Sequence, residues 1–180
     1  LVTGEDVVVI GSGDTGSDCV GTANRQGARS VTQFAQMNEP GTERPAHTPW
    51  PLEPAIFRTS SSHEEGCQRY WGIKTKAFLG DEAGRVRALL VSDITWETDV
   101  LGRRLGCSEI EGSEREIPAQ RVLLALGFTG PEPGGLLRQL GVSLDERGNV
   151  QASERDYQSS VAKVFVAGDM RRGQSLVVWA

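Results

Sequence analysis

The sequence is short of the features that mark membrane, secreted and nucleic-acid-binding proteins. Its 180 residues hold no apolar run near the roughly 20 residues that a membrane-spanning helix needs, and no charged segment followed by an apolar core opens it. Lysine and arginine number 19 against 24 aspartate and glutamate residues, and the net charge of −5 disfavours a partner with a phosphate backbone. We therefore expect a cytoplasmic protein with no membrane partner and no nucleic-acid partner.

Cysteine and histidine are scarce as well. Cys19, Cys67 and Cys107 are odd in number, far apart and never in a Cys-x-x-Cys arrangement, which supports neither a disulfide framework nor a zinc or iron–sulfur site. The run 63–65, His-Glu-Glu, resembles a set of metal ligands, but adjacent residues cannot converge on one ion and only His47 offers a second imidazole. We predict a solvated acidic turn there and no metal site.

A glycine-rich turn directly follows a short apolar strand near the start of the chain. The β-branched run 7–10 precedes Gly11, and a helix-compatible segment ending at Gly27 follows. In this pattern Gly11 makes the turn, Gly13 leaves room for a pyrophosphate, and Gly16 lets the helix pack closely on the strand. The pattern favours a dinucleotide site over its alternative, an ordinary strand-to-helix turn. The predicted cofactor-binding residues of this turn are Gly11, Ser12, Gly13, Asp14, Thr15 and Gly16.

The next predicted elements, a helix over 14–26 and a strand over 30–35, bear on nucleotide preference. In NAD-preferring sites a carboxylate about 20 residues after the glycines accepts hydrogen bonds from the ribose 2′-hydroxyl. Residues 33–37 contain no carboxylate, and the first one downstream is Glu39. Arg44 lies just beyond and is suited to bind a 2′-phosphate, although a plain solvated loop residue is the alternative. NADP is therefore favoured, with NAD possible.

The rest of the chain is predicted to form a hairpin, a charged loop, a central strand and a second region of short elements. The predictions are β-rich runs over 70–78 and 86–96, a loop with at most a short strand over 99–117, a strand buried on both faces over 121–127, a helix over 136–140, a strand over 161–167, and a helix starting near Gly173. Two strand-to-helix turns, one near each end, are therefore places where a ligand could bind.

Five stretches carry a family resemblance that runs almost the whole length of the chain. They are Val8–Gly16, Gly27–Phe34, Thr59–Gly66, Leu124–Gly130 and Ala167–Trp179. Together they resemble the small (beta) subunit of bacterial-type glutamate synthase, most strongly in the last stretch. The resemblance implies an α/β, Rossmann-like three-layer dinucleotide-binding fold, with residues 1–126 as an NAD(P)H-binding domain and residues 127–180 as the C-terminal part of an FAD-binding domain.

The resemblance also implies a flavin site in the last third of the chain. Asp169 would hydrogen-bond the ribityl chain of FAD, and the N-terminus of a helix near residues 174–176 would face the pyrimidine end of the flavin ring, where reduction builds negative charge. Because hydride transfer belongs to the cofactors, we predict no catalytic side-chain acid or base. The residues implied are Gly127, Gly168, Asp169, Gln174, Ser175 and Leu176.

The function implied is electron transfer for glutamate synthesis. In the family, glutamine and 2-oxoglutarate give two glutamates, and the small subunit passes electrons from NAD(P)H through FAD to the large subunit. The first FAD fingerprint and the cysteine-rich region of the iron–sulfur clusters lie upstream in the family, so the 180-residue stretch alone is expected to be inactive and to bind FAD poorly. The alternatives are another flavin-dependent pyridine-nucleotide reductase of the superfamily, or a non-catalytic nucleotide-fold scaffold that docks a large subunit.

One position departs from the family pattern. Many members have a glutamate at the end of the second strand, where this chain has Ala35. On this basis Ala35→Glu is expected to move nucleotide preference towards NADH.

Overall fold

The computed structural model describes residues 1–99 and 104–179, which fold as two compact units. The first unit comprises Leu1–Pro49 and Pro54–Leu126, and the second comprises Trp50–Glu53 and Gly127–Ala180. Across the described part of the chain, the helices are too short or too polar to cross a membrane.

A four-stranded parallel sheet forms the centre of the first unit. Its strands are β1 (Asp6–Ile10), β2 (Ser30–Phe34), β3 (Gln68–Tyr70) and β8 (Arg121–Leu124), in the order β3-β2-β1-β8. The apolar run of β1 is buried on both faces of the sheet, as expected for a strand that is covered on each side.

Helix α1 (Asp14–Arg25) covers one face of this sheet. Val20 and Ala23 on its inner side belong to the same buried cluster as Val7 and Val9 of β1. The prediction of a helix behind the glycine-rich turn is therefore confirmed, to within one residue at its C-terminal end.

An antiparallel sheet covers the opposite face. Its strands are β4 (Ile73–Gly80), β5 (Val86–Thr98), β6 (Arg104–Glu109) and β7 (Arg115–Pro118). Strand β5 pairs with each of the other three. Leu89 and Val91 of β5 pack with Val8 and Phe34 of the parallel sheet. Helix, parallel sheet and antiparallel sheet make three layers, which confirms the predicted α/β, Rossmann-like class.

The run predicted as one strand over 70–78 divides between the two sheets. Tyr70 ends β3, and Ile73 begins β4. Gly72 lies between them with φ +64°, and a Cβ there would come 2.9 Å from the carbonyl oxygen of Ile94. The chain leaves one sheet and enters the other at this position. The residue is glycine because a side chain would fit neither the backbone angle nor the space.

The prediction of a loop with at most a short strand over residues 99–117 was wrong for the described part, which excludes residues 100–103. The structure has strands β6 and β7 there, both antiparallel to β5. Charged side chains link these strands to their neighbours: Glu109 of β6 forms ion pairs with Lys74 at 2.7 Å and Lys76 at 3.0 Å, and Arg115 of β7 forms one with Asp93 of β5 at 2.8 Å. Low hydrophobicity therefore did not exclude strands, because cross-strand charge pairs also stabilise a sheet.

The strand predicted as central over 121–127 is an edge strand of the described sheet. It ends at Leu124 and pairs with β1 alone. Leu124 is 64% exposed and Leu126 is 69% exposed. A continuous apolar run indicates burial, but strand order depends on long-range pairing that the composition of one strand does not encode.

The second unit is built from short elements around a small core of Leu137, Val150 and Val166. Helix α3 (Leu136–Leu140) forms as predicted. The predicted strand over 161–167 was wrong, because only a single bridge between Gln158 and Phe165 forms in this stretch.

The helix predicted to start near Gly173 was also misplaced. Helix α4 (Asp169–Arg172) ends just before this glycine, whose φ of +82° terminates it. The next turn is a 3₁₀ helix over Val177–Trp179. Gln174 therefore follows one short helix and does not begin another.

Candidate functional site: the glycine turn and the cavity of the second unit

The three glycines of the β1–α1 turn have different structural requirements. A Cβ on Gly11, which has φ +128°, would lie 2.0 Å from the carbonyl oxygen of Ala125, and one on Gly16 would lie 2.2 Å from that of Gly11. A Cβ on Gly13 would meet no atom within 4 Å. The fold itself excludes side chains at Gly11 and Gly16, whereas only something outside the chain would require glycine at 13.

The N-terminus of α1 is open to solvent at this turn. Gly13 is its N-cap residue and supplies no side-chain acceptor for the N–H groups of the first turn. Ser12, Asp14 and Thr15 are all exposed. Unpaired N–H groups and the positive end of the helix dipole make such a terminus a site for phosphate.

A chain of buried hydrogen bonds lies directly beneath the turn. Gln33 of β2 is 2% exposed, and its Nε2 donates to the carbonyl oxygen of Gly11 at 2.9 Å. The other end of the same amide, Oε1, lies 2.9 Å from Nε2 of His63. His63 belongs to the short helix α2 (Ser61–Glu64), and its Nδ1 accepts from the backbone N–H of Ser60 at 3.1 Å.

The prediction of a solvated turn at His63 is therefore wrong. It is 8% exposed, and burial, together with the positive charge of Arg69, lowers the pKa of its imidazole. Since Nδ1 accepts a hydrogen bond from the backbone N–H of Ser60, the neutral ring carries its proton on Nε2, and this N–H donates a hydrogen bond to Oε1 of Gln33. Among the described residues no group of three or more potential ligands is arranged to hold a metal ion.

Sequence reasoning missed Gln33 and His63 as members of the site. Two signals pointed to them. Gln33 is an amide in the middle of a buried strand, and Ser60 precedes His63 by three residues, which is the spacing of a capping box. Neither signal identifies the partner 30 residues away.

Arg44 lies in the irregular segment that follows β2. Its Nη1 donates to the carbonyl oxygen of Thr48 at 2.8 Å. Ala35, where the family pattern suggested a carboxylate, is only 4% exposed, and its backbone N–H and carbonyl both pair within the sheet region, with Tyr70 and Ile73. Gln36 is the first exposed side chain after β2.

In the second unit two of the predicted flavin residues, Asp169 and Gln174, line a cavity of about 260 Å³. Its lining residues are Phe128, Thr129, Gly130, Pro131, Asp169, Met170, Gly173 and Gln174. Gly168 is the N-cap of α4 with φ +62°, which places Asp169 at the first position of that helix. Ser175 and Leu176 follow the cavity residues, between α4 and the 3₁₀ turn.

Gln174 joins two separate stretches of the cavity wall. Its Oε1 accepts from the backbone N–H of Phe128 at 3.2 Å, and a Cβ on Gly127 would lie 2.8 Å from the same oxygen. The structure therefore brings Gly127, Asp169 and Gln174 to one place, although the helix predicted to carry Gln174 does not form.

The whole chain fits one known family. Residues 2–180 match the model of the pyridine nucleotide-disulphide oxidoreductases. The chain belongs to this family of oxidoreductases. Among solved structures, FprA of Mycobacterium tuberculosis in complex with NADPH shares the fold, with a TM-score of 0.63 and 15% identity over 98% of this chain and 49% of that one.

Curated relatives are more similar in sequence. The glutamate synthase [NADPH] small chain of Mycobacterium tuberculosis is 50% identical over 98% of this chain, and that of Bacillus subtilis is 38% identical over 98%. The glutamate synthase [NADH] of Schizosaccharomyces pombe is 42% identical over 98%. The chain spans about a third of the two bacterial relatives, 35% and 36%, and 8% of the yeast one.

The three cysteines are free thiols that differ in environment, and this leads to a first prediction. Burial raises the pKa of Cys67 to about 11, whereas Cys107 is exposed. At pH 8 only about one Cys67 thiol in a thousand would be ionised, and the thiolate is the reactive form. Iodoacetamide labelling followed by mass spectrometry should modify Cys107 first and Cys67 only as the pH approaches 11. Fast labelling of Cys67 at pH 8 would contradict this.

Proposed function

We propose that this chain is the nucleotide-binding portion of a glutamate synthase small subunit, with residues 1–126 as the NADPH-binding domain and residues 127–180 as the C-terminal part of an FAD-binding domain. The observation that carries the proposal is the open N-terminus of α1 above Gly13, in a chain half identical to a glutamate synthase small chain along 98% of its length. It would work with a large subunit, in the cytoplasm, in amino-acid biosynthesis.

The first unit would bind the pyrophosphate of NADPH at the glycine turn. Ser12, Gly13 and the first residues of α1, Asp14 and Thr15, present backbone N–H groups at the positive end of the helix. The space above Gly13 would let the phosphates approach these groups closely. Gly11 and Gly16 keep the turn tight, so the role of this region is binding and orientation.

The second unit would contribute part of a flavin site. FAD, when bound, would supply the hydride acceptor and the route for electrons. Asp169 and Gln174 line the cavity and offer a carboxylate and an amide for polar groups of the ribityl chain and flavin ring, while Phe128 and Met170 supply apolar surface. The chain alone should bind FAD weakly, because the family's other FAD contacts, like its iron–sulfur clusters, belong to another part of the small subunit.

Two other functions are distinguished by simple measurements. The first alternative is a different flavin-dependent pyridine-nucleotide reductase, which the family match over residues 2–180 would equally accommodate. Such an enzyme would oxidise NADPH without any effect of glutamine, 2-oxoglutarate or a large subunit. A scaffold that only docks a large subunit need not bind NADPH at all. The proposed function predicts NADPH oxidation by the small subunit that becomes coupled to glutamate formation when the large subunit is added.

We expect NADPH to bind more tightly than NADH, with Arg44 contributing to the difference. Arg44→Ala should weaken NADPH binding about tenfold, the effect of one charge-assisted hydrogen bond, and leave NADH binding unchanged. The gap between the two nucleotides should narrow from 50 mM to 500 mM KCl because exposed ionic contacts are screened. Titration by nicotinamide fluorescence measures all four affinities. A wild type that prefers NADH, as the name of the yeast relative would suggest, would overturn this assignment.

The complementary substitution belongs at Gln36 and not at Ala35. Ala35 is buried, so Ala35→Glu would bury a carboxylate and destabilise the fold before it tested preference. Gln36→Glu places the carboxylate at the first exposed position after β2, where it can accept from a ribose 2′-hydroxyl and repel a 2′-phosphate. We expect it to shift preference towards NADH, measured as the ratio of the two dissociation constants, with Gln36→Asn as the neutral control.

A further inference from the structure

The buried chain Ser60–His63–Gln33–Gly11 has only one consistent arrangement of donors and acceptors. Turning the Gln33 amide around would place Oε1 against the Gly11 carbonyl oxygen and Nε2 against the Nε2–H of His63. Protonating His63 would place an N–H at Nδ1, which the Ser60 Oγ at 2.9 Å could accept, but the backbone N–H of Ser60 would then lose its acceptor. Each change leaves a polar group of the chain without its partner, so the observed orientation is the one that satisfies every member.

The end of this chain acts on the peptide that forms the turn. In a planar trans peptide the carbonyl and the next N–H point in opposite directions, so the Gly11 carbonyl and the Ser12 N–H are oriented together. Gln33 binds the Gly11 carbonyl on the inner side of the turn. The Ser12 N–H is thereby directed to the outer side, where Ser12 and Gly13 are exposed.

Contacts on both sides fix the segment that supplies His63. Asn24 of α1 donates through Nδ2 to the carbonyl oxygen of Gly66 at 2.7 Å, and Arg25 forms an ion pair with Glu65. Gly21 lets Ser62 approach closely, since a Cβ there would lie 2.8 Å from its Oγ. Helix α2 is thus tied to the same helix whose N-terminus forms the candidate nucleotide site.

We propose that His63 is a positioning residue of the nucleotide site, which acts through Gln33 to hold the Gly11 carbonyl inward and so present the Ser12 N–H to a pyrophosphate oxygen. This inference rests on the proposed binding of NADPH at the glycine turn. The neighbouring titratable groups are Arg69 of β3, whose charge lowers the pKa of His63, and the thiol of Cys67, which interacts with the backbone of Gln33.

Two amide substitutions separate positioning from a merely structural role. His63→Gln places an amide nitrogen where Nε2 was and retains the donor to Gln33, whereas His63→Asn places its amide where Nδ1 was and retains only the contact with Ser60. A residue needed only to cap α2 would tolerate Asn better than Gln. A residue needed to position Gly11 would tolerate Gln better than Asn.

NADPH titration of the intact protein tests this, with urea unfolding of each variant to establish that it is folded. We expect His63→Gln to bind within about twofold of wild type, and His63→Asn and Gln33→Leu about tenfold more weakly, the effect of one lost hydrogen bond. In the Gln33→Leu background the two His63 variants should bind equally. Equal affinities of His63→Gln and His63→Asn in the wild-type background, or a difference that persists without Gln33, would overturn the inference.

A second readout keeps the inference separate from the proposed function. In protein labelled with ¹⁵N-serine, the Ser12 amide resonance without ligand should move in His63→Asn and stay in place in His63→Gln. Failure of the wild-type protein to bind NADPH would overturn the proposed function. The Ser12 resonance would then still test, without ligand, whether His63 positions the turn. An unmoved resonance in both variants would overturn the positioning role whatever the affinity for NADPH.

Discussion

Replacing Gly13 by valine is expected to abolish measurable NADPH binding while the protein stays folded. A Cβ at position 13 would have no atom of the chain within 4 Å, so the valine side chain fits without a clash. It would fill the space that a pyrophosphate needs to approach the N–H groups of α1. Each charge-assisted hydrogen bond lost contributes about 1.5 to 3 kcal/mol, so two or three of them lower affinity at least about a hundredfold. Valine is a poorer N-cap than glycine, which should lower the free energy of unfolding by only about 1 kcal/mol.

The matched control for this experiment is Gly106→Val in strand β6. A Cβ on Gly106 also meets no atom within 4 Å, and its φ needs no glycine, so the same substitution is made at an equally open position elsewhere. It should leave the dissociation constant for NADPH unchanged. Gly13→Val protein that binds NADPH as tightly as Gly106→Val protein would remove the glycine turn as the nucleotide site.

The geometry of this turn is the part of the molecule that local sequence predicts best. The spacing of Gly11, Gly13 and Gly16 after an apolar strand constrains neighbouring backbone atoms, so the roles assigned to Gly11 and Gly16 reappear as distances of 2.0 and 2.2 Å. The start of α1 at Asp14 follows from the same short-range pattern. Local geometry of this kind needs no knowledge of distant residues.

The features that the sequence did not reveal depend on pairs far apart in the chain. His63 meets Gln33 across 30 residues, and Glu109 meets Lys74 across 35. A histidine beside two glutamates looks solvated, and a charged run looks like a loop, until the partner is known. In both cases a polar group is satisfied by another polar group, which hydrophobic patterning does not register.

In the second unit the wrong prediction has a different cause. The residues predicted for a flavin site, Asp169 and Gln174, do line one cavity, but they are placed by turns at Gly168 and Gly173 with φ of +62° and +82°. Glycine with positive φ is typical of the position just after a helix, as at Gly173, but here a second such glycine, Gly168, precedes the helix. The family resemblance selected Asp169 and Gln174, which line one cavity, whereas the local pattern did not determine which of them would be helical.

Gly16→Ala is expected to produce a large loss of stability for so small a change. Its Cβ would lie 2.2 Å from the carbonyl oxygen of Gly11 and 2.8 Å from Nε2 of Gln33, so helix and turn must separate or the Gln33–Gly11 hydrogen bond must break. Overpacking costs about 1 to 3 kcal/mol and an unsatisfied buried amide about as much again, whereas alanine gains at most about 1 kcal/mol of helix propensity. The net loss should be about 2 to 4 kcal/mol, a large part of the stability of an ordinary domain.

Gly21→Ala in the same helix is the control that isolates this clash. Its Cβ would approach Ser62 Oγ at 2.8 Å and Arg25 Nη1 at 2.9 Å, which are ends of side chains that can rotate away, and Ser62 Cβ at 3.0 Å, where the one-turn helix α2 would need to shift by a few tenths of an ångström. The cost of relieving these contacts lowers the free energy of unfolding, and the higher helix propensity of alanine raises it. The free energy of unfolding should therefore change by less than about 1 kcal/mol. Urea denaturation followed by circular dichroism compares the two variants under identical conditions. Equal midpoints for Gly16→Ala and Gly21→Ala would mean that α1 can move off the turn at little cost, and the requirement for glycine at position 16 would then have to come from the ligand, as proposed for Gly13.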